Sequence, residues 1–409
     1  MKILMAHKFF YYSGGADKYF LDLMEVMRTH GHQVIPFAMR HPHNLESEYS
    51  DYFVSPWDPN ATGLRNRAKN ALRMMHSSEA ATQMKRLIAD TKPDLAHIHH
   101  IYHQLSSSIL YPLADAGVPV VQTVHDYKLV CPNYKLFNPR TSSPCDKCMG
   151  HTYYHAIFER CLQDSALSGL LGCAEAYWTL ISRVYKSKVS HFTVSNDHLK
   201  GKLLRYGIPA ERIDIIPNFI DLDAYAPRYD SDGYALYFGR ISTEKGIPTL
   251  IEAMKQLPSL TLKIVGDGPQ LGALQTYVED SSLDNVQFLG PAWDEELKPI
   301  LAGAMFVVVP PIWPENSPFV IYQSFAAGKP VIGSTVGGIP DLIDDNENGL
   351  LFQAQDDEDL AEKMRFLASR PDLVSEMGRH ARSKAEGEYD PQVHFEKMMS
   401  VYERVLRAS

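Results

Sequence analysis

The 409-residue chain has no apolar run approaching the ~18 residues that a membrane-crossing helix requires. It also lacks low-complexity tracts and any repeat of solenoid period. Its segment MKILMAHKFF has neither the apolar core nor the small-residue cleavage site of a signal peptide, and reads as a first β-strand. A cytoplasmic location is the expectation. Positive charge is short as well: 40 Lys+Arg against 49 Asp+Glu leave a net charge of −9, which argues against nucleic acid as a partner. Cysteine is scarce, at five residues. What remains, 45% hydrophobic and 22% charged residues, is ordinary globular composition, and the length suits two or three domains with large cores.

The charge is uneven. Residues 1–200 hold 21 Lys+Arg and 17 Asp+Glu, so +4, and residues 201–409 hold 19 and 32, so −13. The basic excess gathers at Arg65, Arg67, Lys69, Arg73, Lys85 and Arg86, opposed by Glu79 alone. Such a stretch is either a solvated helix face or a surface for anionic lipid head groups or an acceptor phosphate.

Strands and helices alternate along both halves. The first half reads as strand Lys2–Ala6, loop Ser13-Gly14-Gly15, helix 16–29 with Phe20, Leu23, Met24 and Met27 on one face, and strand 32–38. Further strands are expected at 95–99, 118–124 and 191–195. The second half continues with strands at 234–238, 261–265, 286–289, 305–310, 330–333 and 349–352, and helices between them, one at 318–327. This pattern predicts an α/β protein of two doubly wound, Rossmann-like domains facing across a cleft, with ligands at the carboxyl ends of the strands. The expected divisions are 1–215, carrying a cysteine-rich insertion at 127–165, and 228–388. A linker lies near Pro217–Pro227, and a final helix, 389–409, packs back on the first domain.

Four constellations follow strands and so fall where a site is expected. Gly14-Gly15 opens a helix, where free N–H groups and the helix dipole favour an anion. Arg240 and Lys245, flanked by glycines, suit a diphosphate, with Arg holding oxygens bidentately and Lys adding a point charge. Glu315, in the loop Trp313-Pro314-Glu315-Asn316-Ser317-Pro318 before a helix bearing Gln323, can accept hydrogen bonds from sugar hydroxyls. His125-Asp126 closes an apolar strand. Each also has a plainer reading, as a solvated loop, a helix cap or a structural histidine.

These segments together resemble family 4 of the retaining glycosyltransferases, which have the GT-B fold. The matching motifs are SGGADKY (13–19), TVHD (123–126), TVSN (193–196), IPNFID (216–221), YFGRISTEKG (237–246), VGDGP (265–269), PENSPFVIYQSFAAGKPVIGSTVGGIPDLI (314–343) and NGLLF (348–352). The resemblance implies a hexosyltransferase that moves a sugar from a nucleotide diphosphate-sugar to an acceptor hydroxyl with retention, in polysaccharide or lipid-linked glycan synthesis. It implies that Gly14, Gly15, Arg240 and Lys245 hold the diphosphate. Glu315 binds the sugar, helped by backbone around Asn316, Ser317, Pro318 and Phe319, and His125 lies beside it. Gln323 occupies the position of a second family Glu that binds the ribose. No catalytic cofactor is implied, since the cations and a helix N-terminus stabilise the departing diphosphate. The acceptor is expected to be a glycan or a polyprenyl-linked glycan, with peripheral contact at the inner membrane face. Alternatives are a sugar-nucleotide epimerase or phosphorylase on the same fold, or an inactive partner subunit.

Cys131, Cys145, Cys148 and Cys161 fall in the insertion, with 145–148 a Cys-x-x-Cys pair. Four thiolates at these positions admit a structural zinc; free thiols and disulfides are the alternatives. Cys173 reads as core. His97, His99, His100 and His103 follow strand alternation better than a metal pattern. Residues 165–190 read either as a core helix or as a helix resting on a membrane surface.

Overall fold

Apolar runs separated by amphipathic helices assemble into two sheets. A computed structural model describes residues 1–57 and 64–408. In the first sheet, β1 (Lys2–Ala6), β2 (Gln33–Phe37), β3 (Leu95–Ile98), β4 (Val120–Thr123), β5 (His191–Val194) and β6 (Ile213–Ile215) lie in the order β2-β1-β3-β4-β5-β6. In the second, β7 (Tyr234–Phe238), β8 (Thr261–Val265), β9 (Val286–Gly290), β10 (Ala304–Val309), β11 (Val331–Ser334) and β12 (Gly349–Phe352) lie in the order β9-β8-β7-β10-β11-β12. Neighbouring strands in both sheets are parallel. Parallel strands are covered on both faces and therefore read as unbroken apolar runs. The result is two doubly wound, Rossmann-like domains facing across a cleft, the GT-B arrangement.

The helices used below are α1 (Gly15–Thr29), α2 (Leu64–Met75), α3 (His155–Glu159), α4 (Ala166–Ser182), α5 (Ile247–Lys255), α6 (Phe319–Ala326) and α7 (Pro391–Ala408). The strand order reverses between β1 and β3 in one sheet and between β7 and β10 in the other. Those reversals open a crevice at the carboxyl ends, where ligands settle in such sheets. The chain after β7 begins Gly239-Arg240, and the chain after β10 runs on to Glu315.

Two differences from the sequence reading have simple causes. Strand β6 escaped it because the strand is three residues long and carries Asp214 at its centre. Helix α6 begins at Phe319, with Pro318 at the N-cap position in an extended conformation (φ −70°, ψ 121°). Of the basic stretch, Arg65, Arg67 and Lys69 have side chains outside the described set. Arg73 is turned inward, its guanidinium donating to the carbonyls of Ser55 (2.6 Å) and Pro56 (3.3 Å).

The C-terminal helix closes the chain on the first domain. Met398, Val401, Tyr402 and Val405 of α7 are buried in one cluster with Ile3, Met5, Phe20, Leu23 and Met24. The Tyr402 hydroxyl meets His97 Nδ1 at 2.6 Å, and His97 Nε2 meets Thr123 Oγ1 at 2.7 Å, so an imidazole in the core of β3 is saturated from both sides. His394 Nδ1 donates to the Pro217 carbonyl (2.9 Å) and its Nε2 accepts from the Tyr19 hydroxyl (3.0 Å), tying α7 to the linker and to α1.

Tyr402→Phe keeps the packing but strands a buried His97 nitrogen. It is expected to destabilise the first domain by about 1–3 kcal/mol, read as a lower urea midpoint; an unchanged midpoint would show that the hydroxyl is not needed there.

Candidate active site

On the second-domain side, two loops converge at the carboxyl ends of β7 and β10. The Ile312 N–H donates to the Glu244 carbonyl (3.0 Å), stitching one loop to the other. Gly246 makes the approach feasible: its φ is +69°, and a Cβ there would stand 1.9 Å from the Pro310 carbonyl oxygen. The fit sets Lys245, at the start of α5, against Glu315, and the two form an ion pair. Glu315 is 8% exposed, and Lys245 is half-buried. The Lys245 ammonium also lies 5.7 Å from the centre of the Trp313 ring. Arg240 is exposed at the head of the same loop, its carbonyl accepting from the Tyr237 hydroxyl (2.8 Å).

Glu315 owes its position to Gly337. A Cβ at Gly337 (φ +61°) would stand 2.1 Å from the Glu315 carbonyl oxygen, and the next residue's N–H, of Gly338, donates to that carbonyl at 2.7 Å. Ser317 shares a hydrogen bond with the Tyr322 hydroxyl (2.6 Å), which fixes the turn into α6. Gln323, on α6, donates its amide to the Tyr225 hydroxyl (2.9 Å).

The first-domain side is pinned to this loop by Asn316. Its Nδ2 donates to the His125 carbonyl (3.0 Å), and its Oδ1 accepts from Asn196 Nδ2 (2.9 Å) and Ser195 Oγ (3.2 Å). Asn196 simultaneously caps the helix that follows β5, accepting from the Leu199 N–H (2.8 Å). Gly15, first residue of α1, faces Phe319 across the cleft so closely that a Cβ would stand 3.0 Å from the ring. Gly14 precedes it in extended conformation as the N-cap. A further bridge, Lys135 to Glu244 at 3.5 Å, joins the cysteine-rich insertion to the Lys245 loop. Thus His125, Gly14-Gly15, Lys245, Glu315, Asn316 and Phe319 are gathered around one cleft.

Behind His125 lies a buried polar network. Its Nε2 is 3.0 Å from His99 Nδ1, and the two rings stack with centroids 5.3 Å apart. His7 donates from Nε2 to Asp17 Oδ1 (2.6 Å) and accepts at Nδ1 from the His100 N–H (3.3 Å). Burial lowers the pKa of His125 to about 3, reinforced by His7 nearby. At neutral pH His125 is therefore a neutral imidazole, able to donate one hydrogen bond and accept one, and not a cation. Burial raises Asp126 to about 6. Asp17 goes the other way: burial alone would raise it, but hydrogen bonds from His7 and Ser13 outweigh that and lower it.

Sequence reasoning assigned no role to Asn196, Gly337, Asp17, Lys135 or Trp313. The signals were present in TVSN, in VGG at 336–338 and in SGGAD. Their meaning depends on partners more than a hundred residues away, such as Asn316 for Asn196, or on a close backbone approach.

The cysteines are free thiols. Cys131 Sγ donates to Asn133 Oδ1 (3.0 Å), and Cys148 packs with Tyr153, Ala156, Cys173 and Ala176. Burial first, then neighbouring cysteines, push Cys161 up to about 12. Among the described residues no group of three or more His, Cys, Asp or Glu side chains is arranged to hold a metal ion. What visibly holds the insertion is a buried ion pair between Lys128 and Glu175 (2.7 Å) and the apolar cluster around Tyr153.

Residues 13–224 match the family model for Glycosyltransferase Family 4, and residues 222–384 match that for Glycosyl transferases group 1. The chain is 26% identical over 213 residues to the putative colanic acid biosynthesis glycosyltransferase WcaL of Escherichia coli, covering 48% of this chain and 52% of that protein. It is 27% identical over 218 residues to the amylovoran biosynthesis glycosyltransferase AmsK of Erwinia amylovora, covering 50% and 54%. These matches span about half the length of the curated relatives. Among solved structures, sucrose-phosphate synthase from Thermosynechococcus elongatus superposes with a TM-score of 0.73 at 19% identity, over 100% of both chains. HepE of Anabaena, solved in complex with UDP, does so with 0.69 at 17%, over 99% of this chain and 100% of that one. At these identities the structural likeness speaks for the fold.

Eleven histidines, His7, His32, His97, His99, His100, His103, His125, His151, His191, His198 and His394, have pKa values lowered by burial, to about 3 at His97, His125 and His394 and about 4 at His103. Below about pH 6.5 the unfolded chain takes up protons that the folded chain refuses, so stability falls as pH falls. Asp126, raised to about 6, acts in the opposite direction but is one group against eleven. The thermal midpoint is expected to drop by several degrees between pH 7.5 and pH 5.5; a flat or rising midpoint would contradict the neutral network.

Proposed function

The chain belongs to glycosyltransferase family 4, and on that premise we propose that it transfers a hexosyl group from a nucleoside diphosphate-sugar to a hydroxyl of a glycan or polyprenyl-linked acceptor, with retention of anomeric configuration. The observation that carries the reading is the Lys245–Glu315 pair at the strand-order reversal of the second sheet, beside the exposed Arg240. Two named relatives, WcaL and AmsK, are polysaccharide biosynthesis enzymes, and HepE of similar fold holds UDP. Polysaccharide synthesis and a uridine donor are the corresponding first choices here.

In this reading the pair is the resting state of a charged site. Without donor, Lys245 and Glu315 neutralise one another, since an unpartnered buried charge is costly. When the diphosphate arrives, Lys245 turns to a phosphate oxygen and Arg240 holds others bidentately. Glu315 is released to accept hydrogen bonds from the sugar hydroxyls. The N–H groups at Gly14-Gly15 open toward the same phosphates at the start of α1. The C–O bond to the diphosphate breaks as the sugar becomes oxocarbenium-like, and Arg240 and Lys245 stabilise the charge gathering on the leaving oxygen. The acceptor oxygen then bonds to the anomeric carbon from the face the diphosphate leaves, and its proton passes to a departing phosphate oxygen. His125, neutral, orients a sugar hydroxyl by hydrogen bonding. Gln323 offers its amide to the ribose diol without charge.

The expectation is that UDP raises the thermal midpoint, since a ligand held at about 100 times its Kd stabilises by about 2.7 kcal/mol, and that Lys245→Met abolishes most of this shift. Glu315→Ala should retain the UDP shift while turnover of the matching UDP-sugar falls about 100-fold or more. Full turnover in Glu315→Ala would remove Glu315 from the sugar site. A shift with GDP or ADP alone would move the donor class.

A further inference from the structure

Helix α4 is apolar on two faces, and the fold uses one. Its inner face, Gly169, Gly172, Cys173 and Ala176, is buried. A Cβ at Gly169 would stand 2.4 Å from the Ala156 carbonyl oxygen, so α4 lies in backbone contact with α3. The one charged residue of α4, Glu175, is also turned inward, bonded to Lys128 at 2.7 Å and 3.5 Å from His103. The outer face carries Leu167, Leu170, Trp178 and Ile181, which are 58%, 50%, 44% and 77% exposed. At 3.6 residues per turn these four fall within about 80° of arc and run for about 21 Å along the axis. Phe158 on α3 and Leu72 on α2, 74% and 68% exposed, are further apolar side chains on the two helices that pack against α4. A patch of this size on a soluble surface marks a binding face.

The charges around it point to the occupant. Arg160 follows α3 and Arg183 ends α4, and both are exposed, whereas Lys186 and Lys188, which come next, lie over the rings of Tyr206 (4.6 Å) and Tyr111 (5.5 Å). Apart from the buried Glu175, the acids between residues 154 and 188 are Glu159 and Asp164, and both are already paired, with Lys147 and with Arg140 (3.0 Å). Helix α2 contains no acid. The chain as a whole is anionic, at −9, so this cationic rim around an apolar stripe is a local exception. No described helix is long and apolar enough to cross a membrane. An apolar stripe bearing a tryptophan and rimmed by cations is the form of a helix that lies in the interface of an anionic bilayer.

We propose that the outer face of α4, with Phe158 and Leu72, is a docking surface for an anionic lipid bilayer. The Glu175–Lys128 pair fastens the inner side of the same helix to the chain three residues beyond His125. The inference deepens the reading above, because it places the acceptor at a membrane, but it stands on separate observations.

The test is co-sedimentation of the full chain with vesicles of phosphatidylcholine containing about 30% phosphatidylglycerol, and with phosphatidylcholine alone, at low and high salt. The expected result is binding to the anionic vesicles that weakens with salt. It should fall at least tenfold in Leu170→Glu/Ile181→Glu and markedly in Arg160→Glu/Arg183→Glu, with the UDP thermal shift intact in both variants as evidence of folding. Absence of anionic-vesicle binding, or binding indifferent to both variants, overturns the proposal. So does a dimer abolished by Leu170→Glu/Ile181→Glu in a chain that ignores vesicles, which would assign the face to a second copy. Vesicle binding by a chain that UDP does not stabilise would uphold the docking face and count against the donor reading alone.

Discussion

A side-chain amide stands at the centre of the contacts that fasten the two domains, beside the Lys135–Glu244 pair and the bond from the His198 N–H to Asp341. Asn316, on a loop of the second domain, bonds the His125 carbonyl and receives Asn196 and Ser195 of the first. An amide can donate and accept at once, which is what this position requires: a carboxylate could not donate to His125, and an ammonium could not accept from Asn196. The bond that positions Asn316 also positions its neighbour Glu315, since both ride on a loop that Gly337 and Gly338 allow to lie flat against the backbone behind it. The two walls of the cleft, opened by the strand-order reversals, thus meet at a loop held from three directions.

On either side of that fastening the electrostatics differ. The second domain presents full charges, Arg240 exposed and Lys245 paired with Glu315, where a diphosphate would need them. The first presents neutral polarity, because burial keeps His125 and its companions unprotonated. A site that must stabilise developing negative charge on one partner and orient hydroxyls on the other gains from that division. A cationic His125 would compete for the phosphates, whereas a neutral one can address sugar hydroxyls. The histidines behind it are costly as potential charges but fully usable as hydrogen-bonding groups, as His97 between Tyr402 and Thr123 shows.

Much of this was legible in the sequence where the signal is local. Strands at 234–238, 261–265 and 349–352 coincide with the observed ones, because they are short, mainly apolar runs, the first two ended by glycine. Position after a strand marked His125, Arg240 and Glu315, and parallel topology makes that position a shared one. What the sequence withheld is non-local. Nothing near Lys245 announces that its resting partner is Glu315, seventy residues on. Asn196 looks like a helix cap, which it is, and its second bond crosses to the other domain. Helical periodicity made 165–190 a helix but could not say that both faces are apolar and only one is covered. The contacts within the insertion are non-local too: Lys128 pairs with Glu175, forty-seven residues on, and Tyr153 packs with Cys173 and Ala176.

The central claim is that Lys245 and Glu315 separate to receive the phosphates and the sugar of one donor. A crystal structure of the complex with an intact UDP-sugar tests it most directly. The account predicts a phosphate oxygen within hydrogen-bond distance of Lys245 Nζ, a sugar hydroxyl within the same reach of the Glu315 carboxylate, and the ion pair between them opened. A donor bound elsewhere, or bound in the cleft with the Lys245–Glu315 pair intact and touching neither phosphate nor sugar, would contradict it.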